Sequence, residues 1–354
     1  MNGQILDRAT LFLEICGCGN RCKHCYIPNH KERYKDFKAA TEIIDKYAEL
    51  LEHPAVTNKA QLYFHDDPTL YPNIAGLLDH VKSKGLSVCP TLSTNGFGLV
   101  KRPDGQEILQ AFINSGIKGL NIALYGDREY HDWFAGLNGS FDMRLRAAAM
   151  AKEAGLWVHW NLYLTRNNTR QLITLTKELN TKNIDIAPPG FTSNWSRYPA
   201  LHPTMAEYDI IRREMPEFTY EKRFAGNPRM GTILPESRWV EICRNADELK
   251  PYLEDDNAEP EPVVKTMWLM EIESNLYDSE ECFPAYLVGN ILRDSLRGIY
   301  ESGKHSAGYG LLKDENTICL AEQHGDPRGE FIGLIDVMRT IWASRKLKRH
   351  HEGG

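Results

Sequence analysis

The chain has 354 residues, of which 42% are hydrophobic and 25% charged, with a formal net charge of −6. That composition supplies a globular core for one α/β barrel or two modest domains, and the acidic balance excludes a general binder of nucleic acid or anionic membrane. The N-terminus lacks a charged-then-apolar leader and no stretch reaches the roughly eighteen apolar residues of a membrane span, so the sequence predicts a cytoplasmic protein with no membrane partner.

In chain order, a strand is predicted over Thr10–Ile15, then a cysteine-rich loop, then a helix near Thr41–Leu51 with Ile43, Ile44, Tyr47, Leu50 and Leu51 at helical spacing. Further strands follow at Gln61–Phe64, Leu86–Leu92, Gly119–Leu124, Trp157–Leu164 and Asn183–Ala187. Three helix-to-strand junctions share one grammar, with Gly85, Gly116 and Gly155 just past a helical pattern and an apolar run after each. A glycine there accommodates the left-handed C-cap, and strands alternating with helices imply a parallel sheet with right-handed crossovers. Six such units predict an α/β fold, a partial (β/α)6 TIM-like barrel over residues 1–190, with its working loops after the strand C-termini. Residues 191–262 break the rhythm and read as a cap ending in an acidic, Pro-rich linker, Glu254–Pro262. An α+β extension over 263–354 closes with a helix at Phe331–Trp342, and the basic run Arg345–Arg349 reads as a solvated helix end.

Half of the eight cysteines lie between Cys16 and Cys25. In a reducing compartment, clustered thiols indicate metal or redox chemistry. The spacing Cys18-x3-Cys22-x2-Cys25 can hold three corners of a cubane iron–sulfur cluster and leave the fourth iron open. Strand alternation sets Cys16 with Phe12 and Glu14, as a non-ligand. Two other readings stay open: structural zinc on Cys16, Cys18, Cys22 and Cys25, or on three thiols plus His24; and an electron carrier whose fourth ligand only Cys16 could provide. Structural zinc usually pairs two short ligand hairpins, and no second hairpin is present.

The three-cysteine motif, followed by the aromatic Tyr26 at the end of the first strand, resembles the radical S-adenosylmethionine (radical SAM) superfamily, over residues 8–190. The resemblance implies a [4Fe-4S] cluster on Cys18, Cys22 and Cys25, with Tyr26 among the cofactor-binding residues and S-adenosyl-L-methionine (SAM) on the fourth iron. It also implies an electron from a flavodoxin or ferredoxin-type donor, and hydrogen abstraction from substrate by a 5′-deoxyadenosyl radical. Asp67 and Pro68 stand where the family has the Glu-Pro pair that meets the SAM amino group, with His65 and Asp66 replacing two glycines. Thr94 and Asn95 belong to a Thr-Asn-Gly turn common in the family. On strand four, Ala123 and Tyr125 replace a usual serine and acid, leaving Asn121 as a polar contact. Asn161 and Arg166 match ribose or carboxylate contacts. His131-Asp-Trp and Gly139-Ser-Phe-Asp142 are similar to segments of peptide- and carbohydrate-modifying members.

The segment from Tyr277 through Cys282 to Tyr300 resembles the start of a SPASM domain, an extension that binds auxiliary iron–sulfur clusters. Cys243, Cys282 and Cys319 are too few for two complete clusters, since each takes about four thiolates. They leave room for a second cluster with a non-cysteine ligand, for a hydrogen-atom donor (Cys243 first, Cys282 second), or for buried structural roles. The function implied is hydrogen abstraction from a small-molecule or peptide substrate of natural-product type, a peptide, sugar or nucleoside, ending in epimerisation or dehydrogenation. The alternatives are a non-catalytic iron–sulfur electron carrier and a structural zinc-binding α/β module.

Overall fold

The computed structural model of the chain describes residues 5–25, 33–51, 61–65, 67–187, 199–253, 263–270, 275–277, 287–295, 298 and 317–352. The six strands of the predicted β/α units are β1 (Ile5–Glu14), β2 (Leu62–His65), β3 (Thr91–Ser93), β4 (Gly119–Leu124), β5 (Trp157–Tyr163) and β6 (Ile184–Ala187). All pair in parallel and in sequence order, as β1–β2 and as β3–β4–β5–β6. A parallel bridge between Leu62 and Val88 joins the two runs, with Cys89 N donating to Leu62 O at 2.9 Å. The third strand is shorter than predicted because Pro90, which has no N–H, interrupts the ladder between that bridge and β3.

Helices α1 (Phe37–Leu51), α2 (Ile74–Ser83), α3 (Phe97–Lys101), α4 (Gly105–Asn114), α5 (Arg128–Ala135), α6 (Ser140–Glu153) and α7 (Thr169–Leu179) connect these strands. Each longer helix buries one stripe: Ala40, Ile43, Ile44 and Tyr47 on α1, and Ile74, Leu77, Leu78 and Val81 on α2. The stripes pack on Leu11, Leu13 and Ile15, on Leu120, Ile122 and Leu124, and on Val158, Trp160 and Leu162, making one continuous core. Gly85, Gly116 and Gly155 have φ of 68°, 92° and 89°, so the three predicted C-cap glycines occupy the left-handed region that side chains disfavour.

The cap is helical where it is described: α8 (Met205–Glu214), α9 (Tyr220–Arg223), α10 (Pro228–Gly231), α11 (Glu236–Cys243) and α12 (Ala246–Leu249), with β7 (Leu234–Pro235) between α10 and α11. The linker Glu254–Pro262 lies outside the described residues. Beyond it, β8 (Val263–Met270) joins the free edge of β1 in parallel, with Phe12 opposite Leu269, and β9 (Asn275–Tyr277) and β10 (Leu287–Asn290) extend that edge antiparallel. The extension therefore continues the core sheet. It ends in α13 (Thr317–His324), β11 (Ile332–Gly333) and α14 (Ile335–Glu352).

A second core joins α11, α13 and α14 through Trp239, Leu320, Met338 and Trp342. The buried carboxylate of Glu236 accepts from Trp342 Nε1 at 2.8 Å, from Asp326 N at 2.9 Å and from both Nη atoms of Arg345. Arg345 thus corrects the solvated-tail reading, because a buried acid needs a paired cation and α14 supplies it. Among the described residues no helix is long and apolar enough to cross a membrane.

Candidate metal centre

The cysteine loop leaves β1 and is held by backbone bonds at both ends. Gly17 N donates to Arg33 O at 2.8 Å, and Lys35 N to Ile15 O at 2.8 Å. At the far side, Arg21 N donates to Ala135 O at 2.8 Å and Lys23 N to Phe134 O at 3.0 Å. These two use carbonyls at the C-terminal end of α5, which have no partner inside the helix. Cys18, Cys22 and Cys25 are all half-buried, and a turn from Cys25 N to Cys22 O at 2.9 Å closes the second interval. Cys16 is fully buried in the core, and its Sγ donates to Asp67 O at 3.0 Å. His24 packs on the rings of Tyr125, Phe134 and Tyr163 at 5.3, 5.4 and 5.0 Å. Burial, then the charge of Arg144, lowers its pKa to about 3.

The loops after β2 and β3 are stapled by one carboxylate. Asp67 Oδ1 accepts from Thr94 Oγ1 and from Thr69 Oγ1 at 2.7 Å, and Oδ2 from Phe97 N at 3.3 Å. Burial raises its pKa, against the pull of those bonds and of Arg144. The sequence predicts a carboxylate meeting an ammonium; in the structure the fully buried carboxylate is bonded to both loops. Pro68 opens a short 3-10 turn, Pro68–Leu70, behind it. Thr94 Oγ1 accepts from Gly96 N at 2.8 Å. Asn95 Oδ1 accepts from Phe97 N at 3.0 Å, which turns its Nδ2 toward Cys18 Sγ at 3.2 Å. Gly96 has φ 72°, and a Cβ there would lie 2.3 Å from Ala147 Cβ. The turn therefore sits directly on α6.

Sequence reasoning missed Arg144. On α6 it is buried with Phe141, Ala147, Ala148 and Ala151, a helical spacing that marks it as facing inward. Its guanidinium donates to Ala123 O and lies 5.3 Å from the Tyr125 ring centroid. Burial opposes its charge, yet Tyr125 and the thiols of Cys22 and Cys18 outweigh burial and hold its pKa high. Its buried Nε has no hydrogen-bond partner among the described residues. Tyr125 Oη donates to Cys22 Sγ at 3.5 Å. The same tyrosine is fixed by Asn168 Nδ2, which donates to Tyr125 O at 2.6 Å, and by His131, whose Nδ1 accepts from Tyr125 N at 3.3 Å. Asn168 Nδ2 also reaches Tyr163 O at 2.8 Å and so ties the ends of β4 and β5. His131 is fully buried, and burial, then Arg144, lowers its pKa to about 2.

On β3 to β6 the sheet face away from the helices carries mostly polar residues. Register sets Ser93, Asn121 and His159 side by side, and Ala123, Asn161 and Asp185 in the next row toward the cysteine loop. His159 Nε2 lies 2.9 Å from Asp185 Oδ2, and Arg223 of α9 pairs with the same oxygen. Burial, then Arg223, lowers the pKa of His159. Parallel strands in α/β folds usually carry apolar residues on both faces. A half-buried polar face is what a ligand-lined interior requires. Asn121 and Asn161 belong to it. Arg166 does not: its Nε donates to His202 O at 3.1 Å, and it lies 3.7 Å from Glu330.

Cys243 is buried in the second core, and burial pushes its thiol up to about 12. It packs in one cluster with Trp239, Leu249 and Trp342, and the structure does not bring it to the cysteine loop. Cys319 is exposed on α13. Tyr26 and Cys282 lie outside the described residues.

Residues 15–176 match the profile of the Radical SAM superfamily. The AdoMet-dependent heme synthase of Nitratidesulfovibrio vulgaris is 28% identical over 155 residues, 43% of this chain and 39% of that protein. The Fe-coproporphyrin III synthase of Methanosarcina barkeri is 26% identical over 157 residues, 44% of this chain and 36% of that protein. The chain thus spans under two fifths of the length of these relatives. Among solved structures, anSMEcpe with bound AdoMet aligns over 98% of this chain and 94% of its own with a TM-score of 0.56 at 15% identity. SuiB of Streptococcus suis bound to S-adenosylmethionine aligns over 90% of this chain and 71% of its own with a TM-score of 0.59, also at 15% identity. At that identity the two structures show a shared fold.

Proposed function

We propose that this chain, whose residues 15–176 form a radical SAM domain, is an enzyme that holds a [4Fe-4S] cluster on Cys18, Cys22 and Cys25 with SAM beside it. The observation that carries this reading is the division of the thiols. Three half-buried sulfurs share one anchored loop, while Cys16 is bonded away to Asp67 O. Three thiolates suit a cubane with one open iron. A structural zinc ion needs four donors meeting at one point. Here the two candidate fourth donors, Cys16 and His24, are turned into the core and into an aromatic cage. An electron carrier would need the same Cys16. The buried Nε of Arg144, without a hydrogen-bond partner among the described residues, fits an anionic group such as the carboxylate of SAM, since a buried guanidinium gains most from a charge-assisted partner.

When bound, cluster and SAM supply a 5′-deoxyadenosyl radical, able to take hydrogen from unactivated carbon. The chain's own residues anchor the loop, donate to its sulfurs, balance charge with Arg144 and shape the interior. The polar rows containing Asn121, His159, Asn161 and Asp185 support a substrate rich in hydroxyl, amide or carboxylate groups, either a small molecule or a peptide. The relatives' names add a tetrapyrrole to the candidates. Cys243 packs in the second core and Cys282 lies outside the described residues, so epimerisation, which needs a hydrogen donor, and dehydrogenation both stand as outcomes. Reducing equivalents would come from a flavodoxin or ferredoxin-type protein. The test is anaerobic reconstitution with iron and sulfide, then SAM and dithionite, with 5′-deoxyadenosine measured by mass spectrometry. Its formation supports the reading; its absence from fully loaded protein overturns it.

A further inference from the structure

We propose that Asn95 and Tyr125 set the reduction potential of the iron–sulfur cluster by donating hydrogen bonds to two of its three thiolates, a role that rests on the function proposed above. Asn95 Nδ2 lies 3.2 Å from Cys18 Sγ, and Tyr125 Oη lies 3.5 Å from Cys22 Sγ. Both donors are fixed from behind by the protein. Asn95 is oriented by the bond its Oδ1 accepts from Phe97 N at 3.0 Å. Tyr125 is clamped at its backbone by His131 and Asn168, and its ring packs on Phe134 at 4.4 Å and on His131 at 5.1 Å. Their aim at the sulfurs is therefore a property of the fold.

Reduction adds an electron whose charge spreads onto the cysteine sulfurs. A donor fixed on a sulfur stabilises the reduced form more than the oxidised one and raises the potential. The site is half-buried, so the effect is not averaged away by water. Cys18 also receives Asn20 N at 3.5 Å, a backbone donor that substitution leaves in place. The two side-chain donors act on different sulfurs, so removing both should give nearly the sum of the single effects.

The experiment is an EPR-monitored redox titration of reconstituted protein without SAM, on wild type, Y125F, N95S, the double variant and Y130F. Y125F removes one hydroxyl; N95S keeps an acceptor for Phe97 N but is too short to reach Cys18. Tyr130 bonds Thr165 Oγ1 at 2.6 Å and donates to neither sulfur, so Y130F controls for general loosening. Each single variant should lower the reduced-to-oxidised ratio at a fixed potential by about tenfold, equal to about 59 mV for one electron. The double variant should lower it by about a hundredfold. Iron per chain should not change, and Y130F should titrate as wild type. Unchanged potentials in Y125F and N95S overturn the inference, as does loss of iron from Y125F, which would make the hydroxyl a holder of the cluster instead. A wild type that takes up no iron overturns the proposed function as well.

Discussion

Replacing Asp67 by Asn separates two roles that the same residue could have. In the structure its carboxylate accepts two threonine hydroxyls and the Phe97 N–H. The amide of D67N can keep its oxygen on Thr94 and Thr69, but its NH2 then meets Phe97 N, donor against donor. Phe97 N retains Asn95 Oδ1. Hydrogen bonds to a charged acceptor contribute roughly 1.5–3 kcal/mol and neutral ones about 0.5–1.5. Losing charge assistance twice and one bond outright costs about 2–4 kcal/mol, offset in part because burial already penalises the charge. The net expectation is a loss of about 1–3 kcal/mol, a drop of roughly 0.3–1 M in the urea midpoint for a slope near 3 kcal/mol/M. If instead the carboxylate met the SAM ammonium, D67N would weaken SAM by about ten- to a hundredfold. Equilibrium dialysis of SAM on anaerobically loaded protein, beside urea unfolding, measures both. Wild-type stability together with a tenfold loss of SAM affinity would refute the staple.

Cys16→Ala should retain wild-type iron and lose about 1–3 kcal/mol for its buried contacts, whereas C18A, C22A and C25A should each lose most of their iron; a colorimetric iron assay decides. Gly96→Ala should cost about 2–5 kcal/mol, from about 1–2 for the left-handed backbone and about 1–3 for the clash with Ala147 Cβ. Adding A147G should recover the clash portion in denaturant unfolding, and additivity of the two substitutions would contradict the close approach. His131 is held neutral, with its pKa lowered from 6.5 to about 2, so its share of stability is full above pH 6.5 and is lost as pH falls toward 2. Between pH 6.5 and about 4.5 the wild type should lose about 2 kcal/mol more than H131Q, the slope approaching roughly 1.4 kcal/mol per pH unit below about pH 5.5. Parallel pH profiles would contradict its burial.

What the sequence made legible was local. The spacing of Cys18, Cys22 and Cys25, and the glycines at 85, 116 and 155, are set within a few residues, and local geometry suffices to read them. Arg144 lay in between: its helical phase with Phe141 and Ala148 marked it as buried, but only the fold of α6 against β4 shows that it faces the thiols. The partnership of β8 with β1 brings together residues some 250 positions apart, and no periodicity encodes that. The inward turn of Asp67 was hidden for the same reason, since its partners Thr94 and Phe97 come from the next loop. Arg345 looked like surface charge until the buried Glu236, on a separate element, required it.

The central claim is that three thiols hold a cluster with one iron left open for SAM. The most direct measurement is the EPR spectrum of the reduced, reconstituted protein before and after SAM is added, in wild type and in C16A. The account predicts a [4Fe-4S] signal in both proteins that changes shape when SAM binds the open iron. A spectrum indifferent to SAM, or a cluster lost from C16A, would contradict it.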